Sequence, residues 1–190
     1  MEWTGVDDEL APLAWVPLGG RGSLPFALVH GESLVAAASW AAGESGAQLY
    51  DASVDLATVR AAGRALVVHD PLCPLTPADF LAEAWGLSAE TGRVVVGYRP
   101  VTDTIKEHRG DRLGATVDRT GLRSVTSPVV LPASVLAGLD DLDVDGDLAA
   151  LVARLAATAE PVWLEAPAIG ARITGPADLL VLEALSRAQR

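Results

Sequence analysis

Lysine is nearly absent from this chain. Lys106 is the only one, and every other basic residue is arginine. Any chemistry that needs an ammonium group therefore rests on Lys106 or the amino terminus. Cysteine is equally scarce: Cys73 stands alone, cannot form an internal disulfide, and fits a reducing compartment. No apolar run approaches the roughly 20 residues of a membrane span. The opening MEWTGVDDEL is acidic and has no apolar core of a leader, so no signal peptide is expected and the chain is read as cytoplasmic. Positive charge is short overall. The formal net charge of -11 excludes general nucleic-acid binding, which needs a basic footprint, and a polybasic membrane contact. It does not exclude a phosphate ligand, because a local arginine cluster can sit in an acidic protein.

What is present is apolar. Half of the 190 residues are hydrophobic and the mean hydropathy is +0.31, enough for one sizeable core, so residues 1–190 are read as a single domain. Residues 1–12 form a polar lead-in. A first strand over Leu13 to Leu18 feeds the glycine loop Gly19-Gly20-Arg21-Gly22. Ser33 to Ala42 has helical spacing, with Gly43 as its stop; Ala47 to Tyr50 reads as a brief strand and Leu56 to Ala62 as a short helix. Ala65 to His69 is apolar without alternation, as a strand buried on both faces should be. Thr76-Pro77-Ala78-Asp79 opens a helix, with threonine as cap and proline in the first turn, that runs to about Trp85 before Gly86. A strand over Arg93 to Tyr98 follows, then a charged arm or hairpin over about 106–120. Helices are expected over Leu131 to Leu139 and over Asp147 to Leu155, where Leu148, Leu151, Val152 and Leu155 share a face. A late strand over Val162 to Glu165 precedes a last helix beginning near Thr174-Gly175-Pro176 and carrying Leu179, Leu182 and Leu185. This alternation predicts an α/β fold with a mostly parallel sheet.

The glycine loop can cradle phosphates on backbone N–H groups or serve as a plain turn; it has neither the Gly-Lys-Ser/Thr of a Walker loop nor dinucleotide spacing. Asp70, directly after a buried strand, stands where an acid can hold magnesium, or where an aspartate simply turns the chain before Pro71. Asp141, Asp143 and Asp145 with Gly146 imitate a calcium loop, but position twelve is Val152 rather than the needed glutamate, so a solvated acidic turn is expected. His30, His69 and His108 lack metal spacing, and His69 reads as a core residue. The segment Pro100 to Leu122 is the most distinctive, with acid and base closely placed as Asp103 with Lys106 and Asp118 with Arg119. It follows a strand, where an open α/β sheet places its ligand.

These segments together resemble the 2-C-methyl-D-erythritol 4-phosphate cytidylyltransferases of isoprenoid biosynthesis. The likeness is carried by Pro100-Val-Thr-Asp-Thr-Ile-Lys106 and Val117-Asp-Arg119-Thr-Gly121-Leu122. Three further segments agree in order: Val16-Pro17-Leu18-Gly19-Gly20, then Val68-His69-Asp70 with Pro74-Leu75-Thr76-Pro77, and Arg172-Ile173-Thr174-Gly175-Pro176-Ala177-Asp178-Leu179. The pentitol phosphate cytidylyltransferases share much of this pattern. The resemblance implies a three-layer α/β/α sandwich, Rossmann-like, with a projecting β-arm through which family members form homodimers. It also implies transfer of CMP from CTP to a sugar-alcohol phosphate with magnesium. By motif position Leu18, Gly19 and Gly20 face the nucleotide, Asp70 the magnesium, and Thr104, Asp103 and Asp70 the substrate. Arg119, Arg172 and Arg21 are the catalytic cations, with Arg172 in the place of a family lysine.

The departures lie on the nucleotide side. Phe26 follows Pro25 where the family pattern has Pro-Lys, the glycine loop is shorter, and Cys73 replaces an arginine. Residues 43–64 are compressed, and no glycine-rich segment near the base is found there. The chain thus reads as a divergent, shortened member, either an enzyme still making a CDP-alcohol or an inactive paralogue that binds sugar phosphates or regulates a partner.

Overall fold

The computed structural model of the protein describes residues 11–50, 55–143 and 147–188. Residues 1–10 of the lead-in, and Asp145 and Gly146 of the acidic turn, lie outside them. The chain runs through β1 (Leu13–Trp15), a 3-10 turn over Leu24–Phe26, β2 (Leu28–Val29), β3 (Glu32–Ser33), α1 (Leu34–Glu44), β4 (Gln48–Leu49) and α2 (Leu56–Ala61). It continues with β5 (Leu66–Val68), α3 (Ala78–Thr91), β6 (Val95–Pro100), β7 (Lys106–Arg109), β8 (Arg112–Thr116) and β9 (Arg123–Leu131). Then follow α4 (Ala133–Ala137), α5 (Leu148–Ala156), β10 (Val162–Glu165), a 3-10 turn over Ala168–Gly170 and α6 (Pro176–Arg187).

Six of these strands form one sheet in the order β10-β6-β9-β5-β1-β4. The pairs β10/β6, β5/β1 and β1/β4 are parallel, while β9 runs antiparallel to both of its neighbours. The expected mostly parallel α/β sandwich is therefore present. Helices cover both faces, as a sheet buried on both sides requires. Ala42 of α1 and Ala84 of α3 pack with Ala14, Val67, Val95 and Val130 on one face. On the other, Val59 of α2, Leu136 of α4 and the stripe Leu148, Leu151, Val152 and Leu155 of α5 pack with Leu13, Leu66, Val68, Val129 and Leu131. Each of the valines and leucines among them contributes about 1.5–3 kcal/mol by leaving water. A third cluster joins Leu34, Leu72, Ile173 and Leu182, and so holds α6 against the end of the sheet where β1 and β5 finish.

Several local expectations are corrected. Gly43 lies within α1; the helix starts at Ser33, whose hydroxyl accepts from the Ala36 N–H, and the left-handed Gly46 follows its end. Gly86 does not end α3, which continues to Thr91 and stops at Gly92, whose φ of 64° supplies the left-handed cap. Thr76 is not the cap either: Pro77 holds that position, and the Thr76 hydroxyl donates back to the Cys73 carbonyl at 2.9 Å. The largest omission is β9, the central antiparallel strand, part of which was assigned to a helix starting at Leu131. Its sequence RSVTSPVVL carries a proline that argues against a central strand. The strand accommodates Pro128 with an irregularity in which Thr126, Ser127 and Pro128 lie opposite Gly97 alone. Position 97 has to be glycine, because a Cβ there would sit 2.4 Å from the Ser127 carbonyl oxygen.

The arm is a hairpin, as expected. β7 and β8 pair antiparallel as a separate two-stranded sheet, turning at the left-handed Gly110. Arg123, at the root of the arm, rests on two aromatic faces, 5.1 Å from the Tyr98 ring centre and 4.7 Å from that of Trp163. No described helix is long and apolar enough to cross a membrane.

Candidate functional site

Parallel β1 and β5 are neighbours, so the segments that follow them emerge at the same sheet edge. After β1 the chain makes the glycine loop, with Gly20 and Gly22 left-handed at φ of 72° and 57°, conformations that glycine takes at little cost. After β5 come His69 and Asp70, then a turn closed by the Cys73 N–H on the Asp70 carbonyl at 2.9 Å. The chain after β10 crosses over this turn, held by the Ile173 N–H on the Leu72 carbonyl at 2.7 Å. Three distant stretches, carrying Arg21, Asp70 and Arg172, are thereby brought together.

Asp70 is their centre. Its side chain is fully buried. Oδ1 accepts from Arg21 Nε at 2.8 Å and from the Leu72 N–H at 3.0 Å, while Oδ2 accepts from Arg172 Nε at 2.9 Å. The Arg21 side chain is only 2% exposed, and its Nη1 also donates to the Gly19 carbonyl at 2.6 Å, which ties the glycine loop to the acid. Arg172 is the more open partner, at 27%. Burial alone would push the Asp70 carboxyl up. The Arg21 charge, the Leu72 N–H and the bonds from both guanidiniums outweigh it and hold the group below the usual carboxylate range. Arg172 is shifted further up: burial opposes its charge, but the bond and charge of Asp70 more than compensate. Arg21 and Asp70 are 49 positions apart, and nothing in the local sequence pairs them.

Ser127 is a member of this cluster that the sequence reading missed. The irregularity in β9 brings its hydroxyl to the Asp70 N–H at 2.6 Å. The serine beside Pro128 was the available signal, in a stretch not recognised as a strand. Cys73 is fully buried, and burial, with Asp70 nearby, raises its thiol to about 12, so it is not a thiolate at neutral pH. His69 is a core residue as expected; burial lowers it to about 4 against the opposing charge of Asp70, and neither ring nitrogen has a hydrogen-bond partner among the described residues.

In the glycine loop, the backbone N–H groups of Leu18, Gly19 and Gly20 donate to no other described residue. Phe26, in the place of the expected ammonium, is 59% exposed.

The other predicted residues lie apart. Thr104 and Arg119 line a shallow cleft of about 320 Å³ at the arm, with Ile105, Val117, Asp118 and Thr120. Arg119 is exposed and donates to the Thr102 carbonyl. Asp118 does not pair with Arg119 but accepts from the Thr120 N–H at 3.0 Å and hydroxyl at 2.6 Å. Asp103 is exposed, and no ion pair joins it to Lys106 among the described residues. Arg172 lines a different cleft of about 300 Å³ with Thr174, Asp178, Val181, Leu182 and Leu185. Asp178 there accepts from the Thr174 N–H and hydroxyl, both at 2.7 Å, and so fixes the start of α6. The two clefts share no lining residue, and among the described residues no hydrogen bond or ion pair joins Thr104 or Arg119 to Asp70 or Arg172. A cavity of about 680 Å³ lies between α1 and residues 74–78, and none of the predicted site residues lines it.

The arrangement does not suit magnesium. That ion needs oxygen ligands near 2.0–2.1 Å in octahedral array and usually keeps several waters. Both Asp70 oxygens are instead engaged by guanidiniums in a buried setting, and no three His, Cys, Asp or Glu side chains are grouped to hold a metal among the described residues.

A mostly parallel sheet with a glycine loop after one central strand and an acid after its neighbour defines an open-sheet α/β protein with its ligand edge at the strand ends. Comparison with known proteins narrows this class. A 2-C-methyl-D-erythritol 4-phosphate cytidylyltransferase of Neisseria gonorrhoeae is 30% identical over 129 residues, covering 65% of this chain and 54% of the relative. That of Frankia casuarinae is 33% identical over 124 residues, covering 63% and 46%. The chain spans about half the length of the curated relatives it matches. The solved structure of the Thermus thermophilus enzyme of that name shares the fold, with a TM-score of 0.64, 22% identity and coverage of 94% of this chain and 98% of that one. No family model matches. The chain is thus similar in sequence to 2-C-methyl-D-erythritol 4-phosphate cytidylyltransferases and shares the fold of their solved structures.

Proposed function

We propose that this protein is a cytidylyltransferase-fold binder of a sugar-alcohol phosphate that does not turn over CTP efficiently. The observation that carries the reading is the state of Asp70. Its two oxygens already accept from Arg21, Leu72 and Arg172, so it offers little to a substrate hydroxyl or a magnesium ion. Phe26 brings no charge to a triphosphate, and Cys73 is an uncharged buried thiol where the family pattern has a cation. The loss of one transition-state donor costs about 100- to 1000-fold in rate. The N–H groups of Leu18, Gly19 and Gly20 favour residual contact with a nucleotide phosphate, and they are the specific support for the rival reading of slow CMP transfer.

The acceptor side has its groups available. Arg119 and Thr104 line an open cleft on the arm, and Arg172 is partly exposed beside α6. In our reading, a homodimer formed through the arm sets Arg119 and Thr104 of one protomer against Arg172 of its partner, with Asp103 close by, and the phosphate is held on the guanidiniums. Purified protein incubated with CTP, magnesium and methylerythritol phosphate is expected to release no pyrophosphate above background. Release that disappears in Arg119→Ala sinks the reading in favour of the enzyme.

A further inference from the structure

We propose that Asp70 ligates no divalent cation and that Arg21 supplies, from within the chain, the positive charge that such an ion would bring to it. A carboxylate offers about four lone-pair positions. Three are filled here by protein donors at 2.8, 2.9 and 3.0 Å. A cation on Oδ1 would have to displace Arg21 or the Leu72 N–H, and one on Oδ2 would have to share that oxygen with the Arg172 guanidinium in a buried setting. Arg21 is held at both ends, by Asp70 on Nε and by the Gly19 carbonyl on Nη1. With its side chain 2% exposed, its removal would leave the buried Asp70 charge with Arg172 as its remaining ionic partner. The backbone is committed as well: the Asp70 N–H is bound to Ser127, and the Asp70 carbonyl accepts from Cys73. Two guanidiniums close to Asp70 repel a divalent ion that approaches the same carboxylate.

This arrangement also explains how a short loop stays closed without an ion. Arg21 binds residues 19–21 to the turn after β5, and Arg172 binds the crossing segment to the same carboxylate. The glycine loop, the Asp70 turn and the start of α6 are fastened at one point. The inference rests on the proposed function only for what approaches Arg172; the clasp stands without it.

The test is nuclear magnetic resonance on the intact protein at neutral pH. The Nε–H groups of Arg21 and Arg172 are expected as slowly exchanging signals that neither shift nor disappear as magnesium is added. With manganese as a paramagnetic probe, the amide peaks of Leu72 and Cys73 are expected to keep the same intensity, relative to a core reference such as Leu151, from stoichiometric metal to large excess. Selective loss of the Leu72 and Cys73 peaks, or loss of the Arg21 Nε–H signal on adding magnesium, would overturn the proposal, as would an Arg21 Nε–H in fast exchange without metal. Broadening confined to exposed acids such as Asp103 supports it. No variant has to fold for these outcomes, and CTP turnover, present or absent, does not decide them.

Discussion

The sheet edge and the arm both carry arginines beside an aspartate, yet their charges are used in opposite ways. At the sheet edge, Arg21 and Arg172 close on Asp70 in a buried clasp. On the arm, Asp118 turns to Thr120, and the exposed Arg119 reaches a backbone carbonyl. Sequence proximity of acid and base is thus a poor guide to pairing: adjacent residues 118 and 119 remain apart, while residues separated by 49 and 102 positions pair. Burial makes the difference. A charge excluded from water needs a partner, whereas an exposed one is served by solvent and stays available to a ligand.

The contrast can be broken first at Asp70. Asp70→Asn strands a buried guanidinium and is expected to lower unfolding stability by about 3–5 kcal/mol in urea titration. Arg119→Ala should stay within about 0.5 kcal/mol, as for exposed sites generally. Equal losses would mean that the two regions do not differ as described.

Acid sharpens the comparison next. His69 is held neutral in the fold with its proton affinity lowered to about 4, whereas an unfolded histidine titrates near 6.5. Between these values the unfolded chain binds more protons, so stability falls as pH drops through the window, by about 3 kcal/mol in all. Asp70 adds to the loss at lower pH: its contribution is present above the unfolded carboxylate value of about 3.9 and disappears as pH falls through its depressed folded value. Denaturant titrations from pH 7 to pH 4 should show this slope, and His69→Leu, if folded, should flatten it.

Gly97→Ala tests the β9 irregularity that delivers Ser127. Forcing a methyl group against a backbone carbonyl should cost about 1–3 kcal/mol in thermal or urea unfolding and shift the Asp70 amide resonance. The smallest effect is expected at the arm root. Arg123→Ala removes a guanidinium from the faces of Tyr98 and Trp163 and should cost about 0.5–1 kcal/mol. It should also speed amide exchange in β7 and β8.

Much of the fold was legible because apolar periodicity reports burial directly. The stripe Leu148, Leu151, Val152 and Leu155 and the unbroken run around Leu66 to Val68 both pack as their spacing implies. Glycines were weaker guides. Gly86 and Gly92 look alike in sequence, and only the second takes the left-handed conformation that ends α3. β9 was hidden because Ser127 and Pro128 interrupt its pattern, and its irregularity depends on Gly97 in another strand. At the site, Asp70 was legible as an acid at a strand end and Arg172 as part of a motif. The clasp itself was not, since pairing across the chain leaves no local trace.

The central claim is that Arg119 on the arm, with the partly exposed Arg172, serves a ligand phosphate, while Arg21 and Asp70 at the sheet edge are committed to the fold. Calorimetric titration tests this most directly, with methylerythritol phosphate and magnesium–CTP added separately to the wild-type protein and to Arg119→Ala. The account predicts saturable heat for the sugar-alcohol phosphate that is lost in Arg119→Ala, and none for the nucleotide. Saturable binding of magnesium–CTP to the wild-type protein, with none for the sugar-alcohol phosphate, would contradict it.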